Sequence, residues 1–201
     1  MRTLTIATLG CKVNQFESEA LGSSFEQKGY RLVPFGESAD ITVVNTCTVT
    51  HRADFQSRQM VRRALQVSPH SFVIVTGCYA QVEPQVFANM KGIASILGNE
   101  EKLHLPDRLP LMERGETSRV CVGDIQKVTQ VTDVSPHIFR HHTRAFLKLQ
   151  DGCDARCSYC VVPLARGRSR SLAPESIVEQ MGLLGNRGFK EVVLTGIHMG
   201  S

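Results

Sequence analysis

Short apolar runs alternate with amphipathic stretches over the first part of the chain. Leu4 to Leu9 is a β-leaning run. Asn14 then stands where a helix N-cap would, with Glu17 three residues on as its capping-box partner. The helix runs to about Lys28 and ends at Gly29. Tyr30 to Phe35 and Ile41 to Thr46 read as strands. His51 to Val67 reads as a long helix whose polar face carries Arg52, Arg58, Arg62 and Arg63, stopped by Ser68-Pro69. Phe72 to Thr76 is the most apolar strand, Glu83 to Met90 a short helix, Ala94 to Leu97 a fifth strand, and Glu100 to His104 opens another helix. Strands that are apolar at consecutive positions are covered on both faces, and their alternation with helices predicts an α/β fold with a parallel sheet.

From about Pro106 to Thr143 the pattern weakens. Pro106, Pro110, Gly115 and Pro136 interrupt it and no helical period survives, so the stretch reads as a connector with a few strands, Val120 to Val122 among them. A second unit starts near Arg144. It has a strand from Ala145 to Leu149, a loop through Ser171, a helix from Pro174 to about Gly185 and a strand from Val192 to Thr195. The expected organisation is a domain over 1–110, a connector over 111–143 and the opening of a second β/α unit over 144–201. Two strands with one crossover helix leave apolar faces without a third strand beside them, so the second unit is expected to be looser than the first.

Composition narrows the function classes only slightly. The 201 residues are 42% hydrophobic, enough for a sizeable core. Lys and Arg number 23 against 19 Asp and Glu, and a surplus of +4 suits a nucleic-acid ligand and a neutral one equally. No apolar run is long enough for a membrane span. Thr8-Leu9-Gly10-Cys11 has the look of a lipoprotein cleavage site, but the residues before Cys11 are broken by threonines and do not supply the regions of a signal.

Seven cysteines change the picture. An odd number cannot all pair in disulfides, and clustered thiols point to a reducing, cytoplasmic setting and to metal or catalysis. Cys11, Cys47 and Cys78 each directly follow a predicted strand. In a parallel sheet those strand ends share one edge, where ligand sites form, so the three thiols are expected to converge. Cys153, Cys157 and Cys160 lie within one short run, with no fourth ligand nearby to complete a zinc site. Iron–sulfur clusters take such local runs, and three thiolates on a four-iron cluster leave one iron open. Cys121, inside a predicted strand, reads as a packed thiol. His141-His142 reads as linker surface. Arg166, Arg168 and Arg170 read either as a solvated basic loop or as cations for phosphate or carboxylate.

The run Cys153-x-x-x-Cys157-x-x-Cys160, with Tyr159 before its last cysteine, resembles the signature of radical S-adenosylmethionine enzymes. Gly10-Cys11-Lys-Val-Asn14-Gln15, Asn45-Thr-Cys47-Thr-Val-Thr50 and Gly77-Cys78-Tyr-Ala-Gln81 resemble the three N-terminal motifs of the methylthiotransferases in that superfamily. Pro163-Leu-Ala-Arg166-Gly167 and Leu194-Thr-Gly196 look like the loop after the cluster and the second barrel strand. Lys12-Val13 and Thr48-Val49-Thr50 look most like the branch that acts on threonylcarbamoyladenosine at position 37 of tRNA. The sister branches act on isopentenyladenosine tRNA or on a ribosomal-protein aspartate.

The resemblance implies a parallel-sheet domain followed by the first strands of a radical S-adenosylmethionine partial barrel, with further barrel and a small RNA-binding domain beyond, so that these residues are an N-terminal portion. It implies two 4Fe-4S clusters, one on Cys11, Cys47 and Cys78 and one on Cys153, Cys157 and Cys160, the latter binding S-adenosylmethionine. It implies a deoxyadenosyl radical that takes hydrogen from carbon 2 of the adenine, sulfur supplied at the first cluster, and methylation by a second S-adenosylmethionine. The implied partners are the tRNA anticodon stem-loop and an electron donor such as flavodoxin or ferredoxin. Two readings of other classes stand beside it. One is a non-catalytic iron–sulfur electron carrier, against which Leu194-Thr-Gly196 speaks, and the other is a zinc-dependent RNA-binding module.

Overall fold

A computed structural model describes residues 1–117, 119–132 and 143–200. His141-His142 lies outside the described residues. Strands β1 (Thr3–Thr8), β2 (Arg31–Leu32), β3 (Ile41–Thr46), β4 (Phe72–Gly77), β5 (Ile93–Leu97) and β6 (Val120–Cys121) form one six-stranded sheet in the order β2-β1-β3-β4-β5-β6. Every neighbouring pair is parallel. Leu4 pairs with Ile41 and Ile41 with Phe72, so β1, β3 and β4 finish nearly level.

The helices cover both faces, as consecutive apolar positions in the strands require. On one face Leu21 and Phe25 of α1 (Lys12–Gln27) and Leu105, Leu109 and Met112 of α5 (Leu105–Glu113) pack on Leu4, Ile41, Val43, Ile74 and Leu97. On the other, Val61 and Ala64 of α2 (His51–Val67), Tyr79 and Ala80 of α3 (Cys78–Val82) and Phe87 of α4 (Pro84–Ala88) pack on Ala7, Val44, Val75 and Ile96. Among the described residues no helix is long and apolar enough to cross a membrane.

Several local expectations are overturned. Asn14 does not cap α1: the helix begins at Lys12 with Cys11 in the cap position, and both Asn14 and Glu17 are buried inside it, bonding to distant residues. Tyr30 to Phe35 shrinks to the two-residue β2 at the sheet edge. The helix expected from Glu83 to Met90 is the shorter α4, and the residues before it form α3. The supposed connector contains a helix despite its prolines. Pro106 sits in the first turn of α5, where its missing N–H costs nothing, and Pro110 is tolerated inside it because Leu105 and Leu109 are fully buried against the sheet. By contrast, the strand expected at Val120 to Val122 is present as Val120–Cys121, the sixth strand of the sheet, and Cys121 packs against the core as expected.

In the second unit β7 (Ala145–Lys148) pairs in parallel with β10 (Val192–Thr195), and α7 (Pro174–Asn186) crosses between them. The stretch expected as a loop through Ser171 holds a short antiparallel ladder, β8 (Gln150–Asp151) with β9 (Arg170–Ser171), and the helix α6 (Val162–Arg166). Its small core of Ala145, Leu147 and Leu184 is completed by Phe16, which comes from α1 of the first unit.

Candidate functional site

Cys11, Cys47 and Cys78 stand at the ends of β1, β3 and β4, as the strand-end argument requires, and the backbone there is tightly cross-tied. Asn14 Nδ2 donates to the carbonyls of Leu9 (2.8 Å) and Thr46 (3.1 Å), the chain leading into Cys11 and into Cys47. Thr46 Oγ1 donates to the Thr76 carbonyl at 2.5 Å and accepts from Ala80 N at 3.3 Å, tying the Cys47 turn to the Cys78 turn. Ser57 of α2 clamps Cys47, accepting from its N–H (3.2 Å) and donating to its carbonyl (2.9 Å). Gly10 and Gly77, preceding Cys11 and Cys78, both have positive φ. A Cβ on Gly10 would meet Cys47 Sγ at 2.8 Å, and one on Gly77 the Thr46 carbonyl oxygen at 2.4 Å. Glycine is what lets these turns close on one another.

Cys11 is exposed, and Cys47 and Cys78 are buried. Burial pushes the Cys47 thiol up; N–H groups of Val49 and Thr48 oppose this, and charge on the neighbouring Cys78 and Cys11 adds to it.

The second triplet lies on the loop between β8 and α6, with Cys157 exposed and Cys153 and Cys160 half-buried. Cys153 N donates to the Gly167 carbonyl and Cys160 N to that of Cys157, both at 3.1 Å. Gln150 anchors the loop: its Nε2 donates to the Gly152 carbonyl (2.7 Å) while its Oε1 accepts from Ile197 N (2.8 Å) and His198 N (2.9 Å). His198 Nδ1 is 3.9 Å from Cys153 Sγ. A cavity of about 440 Å³ opens beside Cys153, lined by Gln126, Asp154, Arg156, Pro163 and Arg168. Helix α3, headed by Cys78, packs against α6, which starts just after Cys160. That packing sets the two cysteine loops on adjoining elements.

Between them is a buried ion network that sequence reasoning missed. Arg166 is not on a solvated loop. It is 1% exposed, because its guanidinium reaches back across the junction to α1. Its Nη1 donates to Glu17 Oε1 (3.0 Å) and Asp151 Oδ1 (3.0 Å), and its Nη2 to Asn14 Oδ1 (2.5 Å). Lys148 Nζ bonds Glu17 Oε1 (2.9 Å) and Asp151 Oδ2 (3.3 Å), and Lys102 Nζ bonds Glu17 Oε2 (2.5 Å). Arg170 Nη2 approaches Asp151 at 3.6 Å, whereas Arg168 is exposed beside Asp154. A signal for this was present: Val13, Glu17 and Leu21 share one face of α1 at four-residue spacing, so a carboxylate stood on an otherwise inward face.

Burial opposes every charge in the network. Even so, Arg166, Lys102 and Lys148 hold the Glu17 carboxyl well below the usual carboxylate range, and Arg166 and Lys148 hold Asp151 down. Against the same burial, Asp151, Cys78 and Glu17 hold Arg166 well above its ordinary value. The two lysines share Glu17 yet shift oppositely. Lys148 is raised because Asp151 adds to Glu17; Lys102 is lowered by burial and by Arg166, with Glu17 only partly offsetting. Both ammonium groups lie against Glu17, Lys102 Nζ at its Oε2 and Lys148 Nζ at its Oε1.

The donor sets suit iron–sulfur groups. Among the described residues no three His, Cys, Asp or Glu side chains converge on a single ion; a four-iron cluster binds each thiolate at a different iron, so its ligands stand apart. Two carboxylates face three fully buried cations, Lys102, Lys148 and Arg166. An uncompensated buried cation is costly, and an anionic thiolate-held cluster beside Cys78 would compensate it.

Comparison with known proteins finds likeness in both units. Residues 3–98 match the family described as "Uncharacterized protein family UPF0004", and residues 147–198 match the "Radical SAM superfamily". The Aquifex aeolicus protein named "Threonylcarbamoyladenosine tRNA methylthiotransferase MtaB" is 45% identical over 96% of this chain and 47% of its own length. Proteins of the same name from Bacillus subtilis and Thermotoga maritima are 38% and 34% identical over 100% of this chain, which covers 44% and 45% of them. The chain thus spans about half the length of the curated relatives it matches. With an N-terminal parallel-sheet domain, a match to the radical S-adenosylmethionine superfamily over residues 147–198 and likeness to these relatives along its whole length, the chain is similar to the methylthiotransferases of that superfamily.

Proposed function

We propose that this chain carries the cluster-binding part of an enzyme that transfers a methylthio group to carbon 2 of N6-threonylcarbamoyladenosine at position 37 of tRNA. The observation that carries the reading is the docking of one cysteine triplet beside another through α3 and α6, in a chain similar to relatives that bear this activity in their names. Cys153, Cys157 and Cys160 would hold a 4Fe-4S cluster with one iron left for S-adenosylmethionine. Cys11, Cys47 and Cys78 would hold a second. When bound, the first would supply the electron that cleaves S-adenosylmethionine to a carbon radical able to take hydrogen from an aromatic C–H bond, and the second would supply the site of sulfur transfer.

The chain's own residues orient and exclude. Gln150 fixes the Cys153 loop against the turn after β10, and Arg166 fixes α6 against α1. Arg156 and Arg168 line the cavity beside Cys153, where their charge suits a cofactor carboxylate or a tRNA phosphate. Cys47 and Cys78 are buried, so they would shield from water the group they hold. A cytoplasmic setting, the anticodon stem-loop as substrate and flavodoxin or ferredoxin as electron donor complete the reading. The test is anaerobic reconstitution of the enzyme that contains this part, followed by incubation with S-adenosylmethionine, reductant and tRNA lacking the modification. Nucleoside mass spectrometry should show methylthio on threonylcarbamoyladenosine and none on isopentenyladenosine. Cleavage of S-adenosylmethionine with an unmodified tRNA would contradict the substrate assignment.

A further inference from the structure

Four neighbouring strands of the sheet end on the site's edge. Three are followed by Cys11, Cys47 and Cys78, and the fourth, β5, by Gly98 and Asn99. Asn99 is buried, and every polar atom of its side chain is engaged. Lys102 Nζ donates to its Oδ1 at 2.7 Å, and its Nδ2 donates to the Ala165 carbonyl at 2.7 Å. Its backbone N–H donates to Gln81 Oε1 at 2.8 Å, and Gln81 in turn donates to the Gly123 carbonyl. These partners leave one orientation. An ammonium only donates and a carbonyl only accepts, so Oδ1 must face Lys102 and Nδ2 must face Ala165. The remaining amide hydrogen then points at Cys78 Sγ, 3.8 Å from Nδ2.

Resting on the reading of Cys11, Cys47 and Cys78 as an iron–sulfur site, we propose that Asn99 is a positioning residue for that site: held by Lys102, it directs an amide N–H onto the Cys78 sulfur, and together with the buried surplus of positive charge it raises the reduction potential of the group bound there and helps retain it. A hydrogen bond to a ligating sulfur withdraws charge from it and favours the more negative, reduced state, and a nearby cation does the same. The arrangement also links the sites mechanically, because the same amide nitrogen holds Ala165, beside Arg166 on the helix that follows Cys160.

The experiment uses protein in which Cys153, Cys157 and Cys160 are replaced by alanine, reconstituted anaerobically with iron and sulfide so that only the other triplet is loaded. The potential is read by an EPR-monitored redox titration, and retention by the rate of iron loss to a chelator. Asn99→Ala should lower the potential, and Asn99→Asp, which adds a negative charge, should lower it further. Lys102→Met, which removes a buried cation and the donor to Asn99 Oδ1, should also lower it. Chelation should quicken in the same order as the potentials fall. A merely structural Asn99 would shift the denaturation midpoint and leave the potential alone, and that result overturns the proposal. Protein that binds no iron in this background overturns the two-triplet reading and this proposal with it; protein that binds iron with a potential indifferent to Asn99 overturns this proposal alone.

Discussion

The two units of this chain reach stability by different routes. The first is a six-stranded parallel sheet with a buried apolar layer on each face. The second has two parallel strands and a small core that borrows Phe16 from its neighbour. Where they meet, an ion network is buried beside the Phe16 contact: Glu17 of α1 accepts from Lys102, Lys148 and Arg166, two of which belong to the second unit. Apolar layers tolerate small changes in shape, whereas a buried ion network fails when one member is lost, because its partners stay buried and unpaired. The cysteine loops sit on this ionic seam. Their relative placement therefore depends on a few charges, more than on the bulk of either core.

The comparison breaks most sharply at Glu17. Glu17→Gln should cost about 3–5 kcal/mol, the range for breaking a buried pair, with the loss falling on the docking of the second unit. Hydrogen exchange checks the location. Val192–Thr195 should become fast while Phe72–Gly77 stays protected, and equal loss in both would show that the seam is not separable from the sheet.

Matched core truncations sharpen the contrast. Leu4 and Leu147 are both fully buried, one in each unit. Leu4→Ala should cost about 2–5 kcal/mol of global stability in denaturant titration. Leu147→Ala should leave the main transition in place and loosen only the second unit. A common drop in the main midpoint would merge the two units into one cooperative body.

Acid should reproduce the Glu17 effect more gently. Glu17 and Asp151 are held below their ordinary values in the fold. Their contribution is fully present above the ordinary carboxylate range, about pH 4, and is lost as pH falls through the depressed folded values. The second unit should undock on that acid side before the sheet melts, visible as early loss of protection in Val192–Thr195. Simultaneous loss would place the acid-sensitive charges elsewhere.

Cys121 should matter least. It is half-buried against the sheet core and apart from both triplets in sequence. Cys121→Ser should keep the full iron content at a cost of about 1 kcal/mol, near the low end for a poorly solvated hydroxyl. Iron loss matching that of Cys78→Ala would make it a ligand.

Sequence pattern was a good guide to the sheet and a poor guide to the seam, for physical reasons. Phe72 to Val75 is apolar at consecutive positions, and Ile41, Val43 and Val44 put apolar side chains on both faces of their strand, a local signal of strands covered on both faces; placing cysteines after such strands puts them on one edge. Helix α5 was hidden because Pro110 is a local breaker and the burial that overrides it comes from distant residues. Glu17 and Asn14 mimic a capping box, a local motif, while their partners lie far along the chain at Lys102, Lys148 and Arg166. Arg166 was hidden in the same way: among neighbouring arginines nothing local distinguishes the one that folds inward.

The central claim is that two separate cysteine triplets each hold an iron–sulfur group. Iron and acid-labile sulfide, measured after anaerobic reconstitution, test it directly in the parent protein and in two variants, one with Cys11, Cys47 and Cys78 replaced by alanine and one with Cys153, Cys157 and Cys160 replaced. Each variant should keep about half the parent's iron and sulfide, as two independent clusters of one type require. A variant that loses all of the iron, or none of it, would contradict the account.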